Sequence, residues 1–308
     1  MEKPIILGGT VEQKELAAQE LKLEEEKGSK PFPREGYKTP EDLRFIELAN
    51  QYLAKELEHL GVDFEPISLD KIHLLKDVAW FTKYSGDNSL GKHEHGANNA
   101  SINLFNIEIL SLNENVDARL KRFAVILHEM IHIAGHIKFR IDEDGNLNSY
   151  RMGYKTIEQH ERKGDELFEG LNEAVVDGMV MHILRHYQDE LEQEFGDEAF
   201  KKSEKEHLYD YEYYIRMLAI IISDIAEKKG EDPLLVRDRF LKGHFTGEMM
   251  HLRDIEKVYG KNGLRAIAKW GFAKDQEEGS KITNKVVKFL VAETEEERAA
   301  MVEEILAL

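Results

Sequence analysis

Residues 116–135 read VDARLKRFAVILHEMIHIAG, and this stretch decides how the rest of the chain is read. From Phe123 to Ala134 the only charged residue is Glu129. The run predicts a helix over 116–134, ended near Gly135 and buried on most sides. His128 and His132 stand at i and i+4, so their imidazoles share one helix face and can hold one tetrahedral metal ion. Glu129 points to the adjacent face, where it can hold a water bound to that ion. Two histidines and a glutamate inside an apolar helix are costly without partners. Core histidines satisfied by hydrogen bonds are the bland reading of the same residues.

A second stretch makes the metal reading sharper. Residues 170–177 read GLNEAVVD, and Glu173 and Asp177 again stand at i and i+4 on a helix that reads as buried. A zinc enzyme needs a third protein ligand and an open fourth position. It also needs an acceptor that fixes a ligand histidine's ring N–H. Glu173 fits the first role and Asp177 the second. The bland reading is a helix N-terminus whose acidic residues complement the helix dipole. The metal reading requires one zinc ion per chain.

Composition narrows the possibilities. The chain has 308 residues, 42% of them hydrophobic, enough for one large domain or two modest ones with a real core. Its net charge of -18 argues against a nucleic-acid backbone or an anionic membrane as partner. With no cysteine, any metal must be held by His, Asp and Glu. The first fifteen residues lack a basic segment followed by a long apolar one, so no secretory leader is expected. The longest apolar runs, such as 218–222, are too short to span a bilayer. The expected location is the cytoplasm.

The chain divides by composition into an N-terminal arm (1–38), a core (39–195) and a helical C-terminal part (196–308). Residues 11–27 look like an exposed helix, followed by a Gly/Pro linker at 28–33. The arm could be packed, a regulatory flap or a tail. Thr39-Pro40-Glu41-Asp42 opens a helix with apolar residues at helical spacing to Leu57. Residues 72–75 and 78–81 are rich in β formers. A polar loop is expected over 85–99, and 101–105 alternates like a strand. Residues 136–157 suggest a hairpin around Asp142-Glu143-Asp144-Gly145. Asp142, Asp144 and Asn146 alternate, but the glycine and terminal glutamate of a calcium loop are missing at their offsets. A long helix is expected over 171–195, then an almost wholly helical remainder in which Tyr211, Tyr214, Leu218, Ile222 and Ile225 line one face. Pro233 opens another helix, and Gly260 and Gly263 punctuate a turn. A small mixed sheet beside a helical body gives an α+β class.

HExxH followed by a helix bearing NExxxD resembles the gluzincins, the thermolysin-like branch of the zincin metallopeptidases. The matching residues are His128, Glu129, His132, Asn172, Glu173 and Asp177. The GLNE phrase at 170–173 is also similar to bacterial gluzincins that carry tyrosines on a later helix. The resemblance covers roughly residues 100–225. It implies a zincin-like fold, with a small mixed sheet beside the active-site helix. It implies zinc held by His128, His132 and Glu173, Glu129 as general base, and Asp177 as the partner of a ligand histidine. By the same analogy Tyr211 would donate to the oxyanion, and 101–105 would be the sheet edge to which an extended peptide adds. Forty residues separate His132 from Glu173, a longer gap than this pattern implies, which the hairpin would fill. The longer metzincin pattern is half present, with Gly135 in place but Lys138 where a histidine belongs. His136 is eight residues from His128, about 12 Å along a helix axis, too far to share its ion if the helix continues.

His93 and His95 could approach the site, although a solvated loop is the plainer reading. His182 and His186, also i and i+4, could hold a second metal or simply lie on a partly exposed face. The expected activity is zinc-dependent hydrolysis of peptide bonds in a peptide or protein substrate. The alternative is a zinc-binding regulatory or interaction protein without catalysis, against which the presence of Glu129 counts.

Overall fold

In the computed structural model of the protein, residues 4–158, 165–205, 212–260, 262–271 and 276–307 are described. The first half runs β1 (Ile5–Leu7), α1 (Val11–Gly28), α2 (Pro40–His59), β2 (Ile72–Leu75), α3 (Asp77–Tyr84), β3 (Gly91–Glu94), β4 (Asn99–Asn103), α4 (Leu104–Asn113), α5 (Ala118–Ala134), β5 (Ile137–Ile141) and β6 (Leu147–Met152). Then come β7 (Lys155–Glu158), β8 (Asp165–Leu167), α6 (Glu169–His186), α7 (Gln188–Phe195), α8 (Asp197–Lys205), α9 (Glu212–Lys229), α10 (Pro233–Thr246), α11 (Arg253–Tyr259), α12 (Gly263–Ala268), α13 (Gln276–Val291) and α14 (Glu295–Leu306). The class is α+β, as the sequence implies. Strand order is β2-β4-β3 in one sheet and β1-β5-β6-β7-β8 in the other. Among the described residues no helix is long and apolar enough to cross a membrane.

The chain forms two compact units, one of residues 1–134, 139–148 and 179–210, the other of 135–138, 149–178 and 211–308. In the first unit α5 begins at Ala118, two residues later than its sequence suggests. The Asp117 carboxylate explains this: its Oδ1 accepts from the backbone N–H of Arg119 (2.9 Å) and Leu120 (3.0 Å), which satisfies donors that a helix N-terminus leaves open. On α2, Thr39 and Asp42 form a capping box with Pro40 in the first turn. Asp42, 2% exposed, also accepts from Arg122 of α5 at 3.1 Å. The apolar faces of these two helices meet through Phe45 and Phe123, whose ring centroids lie 6.1 Å apart, with Phe195 of α7 tilted against both.

The three-stranded sheet of this unit corrects three expectations. The strand expected at the edge over 101–105 is β4, and it is central. It pairs parallel with β2, Ile72 opposite Ala100, and antiparallel with β3, Gly91 opposite Ile102. All five of its residues are buried, as befits a strand covered on both faces. It stops at Asn103 because that side chain accepts from Asn106 N–H (3.1 Å) and opens α4. The expected 85–99 loop contains β3, whose Gly-Lys-His-Glu composition has no strand former. Pairing with β4 makes it a strand, a tertiary effect that propensity cannot report. The β-rich residues 78–81 lie on α3 instead, where Ala79 and Trp80 are buried while Val78 and Phe81 face outward. The Trp80 indole N–H donates to the Asp87 carbonyl, and Ser85 in the left-handed region (φ 55°) ends the helix.

The N-terminal segment is tied down. On α1 only Ala17 and Leu21 are buried, in keeping with an exposed helix. Beyond it, His73 of β2 bonds the Glu35 carboxylate through Nδ1 (2.9 Å) and the Gly28 carbonyl through Nε2 (2.6 Å). Gly36 N–H donates to the Leu74 carbonyl at 2.9 Å. Burial pushes the Glu35 carboxyl up, but the bonds from His73 and the Phe32 N–H, with the charges of His73 and Lys38, outweigh it and hold it down at about 2.

In the second unit β7 pairs antiparallel with β8. The helices α9, α10 and α11 pack together, and α13 packs on α14. Asp232 caps α10 ahead of Pro233, by accepting from Leu234 N–H. Tyr259 donates to Asp224 at 2.6 Å. In the first unit, Asp142 Oδ1 closes the turn at 142–145 by accepting from Asp144 and Asn146 N–H, and Gly145 takes φ 86°. The single helix expected over 171–195 is two, α6 and α7, parted at Tyr187 (φ −105°, ψ 22°).

Candidate metal centre

The i, i+4 spacing on α5 does what helical geometry requires. The Nε2 atoms of His128 and His132 lie 3.1 Å apart. Two nitrogens bound tetrahedrally at zinc distances of 2.0–2.1 Å would be about 3.3 Å apart, a separation close to the one seen here. Glu173 completes the set. One donor atom from each of His128, His132 and Glu173 lies within 4.8 Å of the others, and among the described residues this is the one such group that could hold a metal ion. Two neutral imidazoles and a carboxylate are a donor set that zinc accepts, with a fourth position left over for water or substrate.

On α5, Glu129 is buried at 5% exposure, while its histidine neighbours are half-buried. β3 runs close over it. A methyl group added at Gly91 would lie 2.8 Å from both Cγ and Cδ of Glu129 and closer still to Oε1. Only glycine leaves room for the carboxylate there. Two residues on, the His93 ring is stacked on His132, centroids 6.2 Å apart and planes 10° apart, and His95 meets His93 edge-on. His93 is therefore a half-buried strand residue, where a solvated loop was expected. Its Nε2 bonds Asn98 Oδ1 at 3.1 Å. Tyr84 of α3 donates to Glu94 at 3.2 Å. Its phenol is pushed up by burial first and then by the nearby charges of Glu94 and Glu129.

On α6 three residues of the GLNE phrase, Gly170, Asn172 and Glu173, are held by specific contacts. Gly170 lies flat against the Trp270 indole, whose ring atoms would come within 2.7 Å of an added methyl. Its N–H donates to the Trp270 carbonyl at 2.9 Å, and Phe168 N–H donates to Ala268 at 2.6 Å. Phe168 sits at φ 62°, a conformation that a bulky residue adopts only when its surroundings enforce it. Asn172, 3% exposed, accepts from Tyr154 N–H through Oδ1 (3.0 Å) and donates from Nδ2 to Glu173 Oε1 (3.3 Å). It thus orients the Glu173 carboxylate. Asp177 is 5% exposed and lies one turn beyond Glu173 on α6.

Tyr211 lies outside the described residues. Tyr214, which the sequence places on one helix face with Leu218, Ile222 and Ile225, stacks on Trp270 at 5.2 Å. Its phenol is pushed up by burial, and further by the charges of Glu169 and Glu173. The Tyr214 phenol is thus within electrostatic reach of Glu173. His136 follows the end of α5. It is held well down at about 4, by burial first and then by the charges of Arg151 and Lys138. His182 bonds Glu56 at 3.1 Å and stacks on His186 at 5.3 Å, on a partly exposed helix face that belongs to no three-ligand group among the described residues.

Compared with known proteins, the chain matches no family model, no curated protein and no solved structure.

Proposed function

We propose that this chain is a zinc-dependent peptidase. The observation that supports the reading is that donor atoms of His128, His132 and Glu173 lie within 4.8 Å of one another, although forty residues separate His132 from Glu173, with Glu129 on the helix that carries the two histidines. A zinc ion held by these three side chains would polarise a scissile carbonyl and lower the pKa of a water to about 7. Glu129 would take the proton of the attacking water and return it to the leaving amine. Its burial and the close cover of Gly91 would hold the carboxylate in one place, and a fixed base is worth more than a mobile one. Asn172 would keep the Glu173 carboxylate in register. Asp177 would accept a ring N–H from a ligand histidine. A tyrosine from α9 or the segment before it, Tyr214 or Tyr211, would donate to the developing oxyanion. β3 ends the three-stranded sheet, so an extended peptide could add to its free side by main-chain hydrogen bonds.

The test is a peptide-library digest by wild type and Glu129→Gln, each with its zinc content measured. The expected result is cleavage by wild type alone, with zinc retained in both. Equal cleavage by the variant would remove Glu129 from the mechanism. Zinc in both and cleavage by neither would favour a binding protein.

A further inference from the structure

Strand β2 carries a histidine whose two ring nitrogens both face oxygen. His73 is 3% exposed. Its Nδ1 lies 2.9 Å from Glu35 Oε2, and its Nε2 lies 2.6 Å from the Gly28 carbonyl oxygen. A carbonyl oxygen can only accept, so Nε2 carries a proton. Glu35 also accepts. Its carboxyl is held down at about 2, and its Oε2 takes a bond from Phe32 N–H at 2.9 Å as well. Nδ1 therefore carries a proton too. An imidazole that donates from both nitrogens is an imidazolium.

This cation joins three pieces of the first unit. Gly28 is the last residue of α1, so its carbonyl stands at the negative end of the helix dipole, where a cation is favoured. Glu35 belongs to the segment that follows, whose Gly36 N–H donates to the Leu74 carbonyl of β2 at 2.9 Å. The end of α1 also presses on the turn between β3 and β4. A methyl added at Gly28 would collide with Ala97 and Asn99, and one added at Gly96 with the Glu24 carboxylate. Lys71, just before β2, pairs with Glu25 of α1. The other charged groups around the ring are Glu24 and Lys27 of α1, Lys30 beyond it, Lys83 of α3 and Glu94 of β3, which line one hollow with His73. Lys83 and Glu94 pair with each other at 3.3 Å. The neighbours from β4, Ser101 opposite His73 and Asn99 in the hollow, are uncharged. Among the described residues Glu35 is the one carboxylate that bonds the ring.

We propose that residues 24–36 form a strap, locked onto the sheet by the doubly protonated His73 ring and released when that ring loses a proton. The lock needs an ionised Glu35, a condition met above about pH 2. It holds on the acidic side of the ring's titration and is lost as pH rises. Without the second proton, one nitrogen presents a lone pair to an oxygen, and a charge-assisted bond becomes a repulsion. The strap bears on the hairpin whose Gly91 covers Glu129, so its release would loosen the cover of the proposed base. That consequence rests on the peptidase reading, whereas the lock does not.

Amide exchange on the full-length protein tests it, read as protection factors, which are normalised for the intrinsic rate at each pH. The reporters are the amides of Lys30 and Gly36, bonded to the carbonyls of Lys27 and Leu74. They are compared at about pH 6 and about pH 8.5, on either side of the usual histidine value of about 6.5. In wild type their protection is expected to fall about tenfold or more at the higher pH, the weight of one charge-assisted hydrogen bond. Glu35→Gln is the deciding variant. A glutamine amide can donate to a neutral Nδ1, so the lock closes without the second proton and protection is expected to stay level between the two pH values. His73→Gln, which offers a single donor nitrogen, is expected to show the low protection at both. Equal protection in wild type at the two pH values, or a Glu35→Gln variant as sensitive to pH as wild type, would overturn the proposal. None of these readings needs zinc or peptide cleavage, so an inactive protein leaves them intact.

Discussion

Replacing Gly91 by alanine should separate stability from catalysis. The added methyl would stand 2.8 Å from Glu129 Cγ and Cδ, against an ordinary contact of 3.4 Å or more. The side chain must therefore give by at least 0.6 Å (3.4 − 2.8) at those atoms, and by more at the nearer Oε1. A carboxylate is the far end of a flexible side chain, so its retreat should cost the fold only about 1–2 kcal/mol, at the low end of overpacking. The backbone of Gly91 is not in the left-handed region, which leaves no conformational penalty to confuse the result. A shift near 1 Å in the base should cost hydrolysis about 100-fold. Zinc affinity should hold, because the three atoms nearest to the new methyl all belong to Glu129. The assay is kcat/KM on a cleaved peptide, with zinc content and a urea unfolding curve on the same preparation. Wild-type kcat/KM in a variant with normal zinc would refute the reasoning, since either Glu129 is not held by β3 or it is not the base.

Other predictions follow from the same contacts. Asp177→Ala should weaken zinc binding by about 10–100-fold, and Glu173→Ala by more, as read by competition with a chelator; the reverse order would make Asp177 the ligand. Gly170→Ala should destabilise the fold by about 1–3 kcal/mol in urea unfolding, because Trp270 occupies the space of the new methyl; an unchanged midpoint would contradict the packing. In metal-free protein, stability should fall on acidification. His136 and His251 are both held down at about 4 by burial, so between pH 6.5 and 4 the unfolded chain takes up protons that the folded chain refuses. The loss should be absent above pH 6.5 and complete near pH 4, and a flat unfolding free energy across that window would count against neutral buried histidines.

Much of the site was legible because helical spacing is local. His128 with His132, and Glu173 with Asp177, declare their shared faces through i, i+4 spacing alone, and uncharged flanks declare burial. That one donor atom from each of His128, His132 and Glu173 lies within 4.8 Å of the others cannot be read from either stretch alone. β3 was illegible for a related reason. Gly91-Lys92-His93-Glu94 has no strand propensity, and only its partner β4 makes it a strand, so His93 and the contact of Gly91 with Glu129 stayed hidden. Residues 78–81 misled in the opposite sense, because Val78 and Phe81 favour strands yet sit exposed on α3. The break at Tyr187 lacks a glycine or proline to announce it. Asn172 was visible as a motif letter, but its grip on Glu173 needed the position of Tyr154.

The most direct test of the metal centre is zinc stoichiometry, by elemental analysis after equilibrium dialysis, for wild type and His132→Ala side by side. One zinc per wild-type chain, with the variant nearly empty at the same free zinc, is the expected result. Wild type that takes up no zinc, or a variant that fills as wild type does, would contradict it.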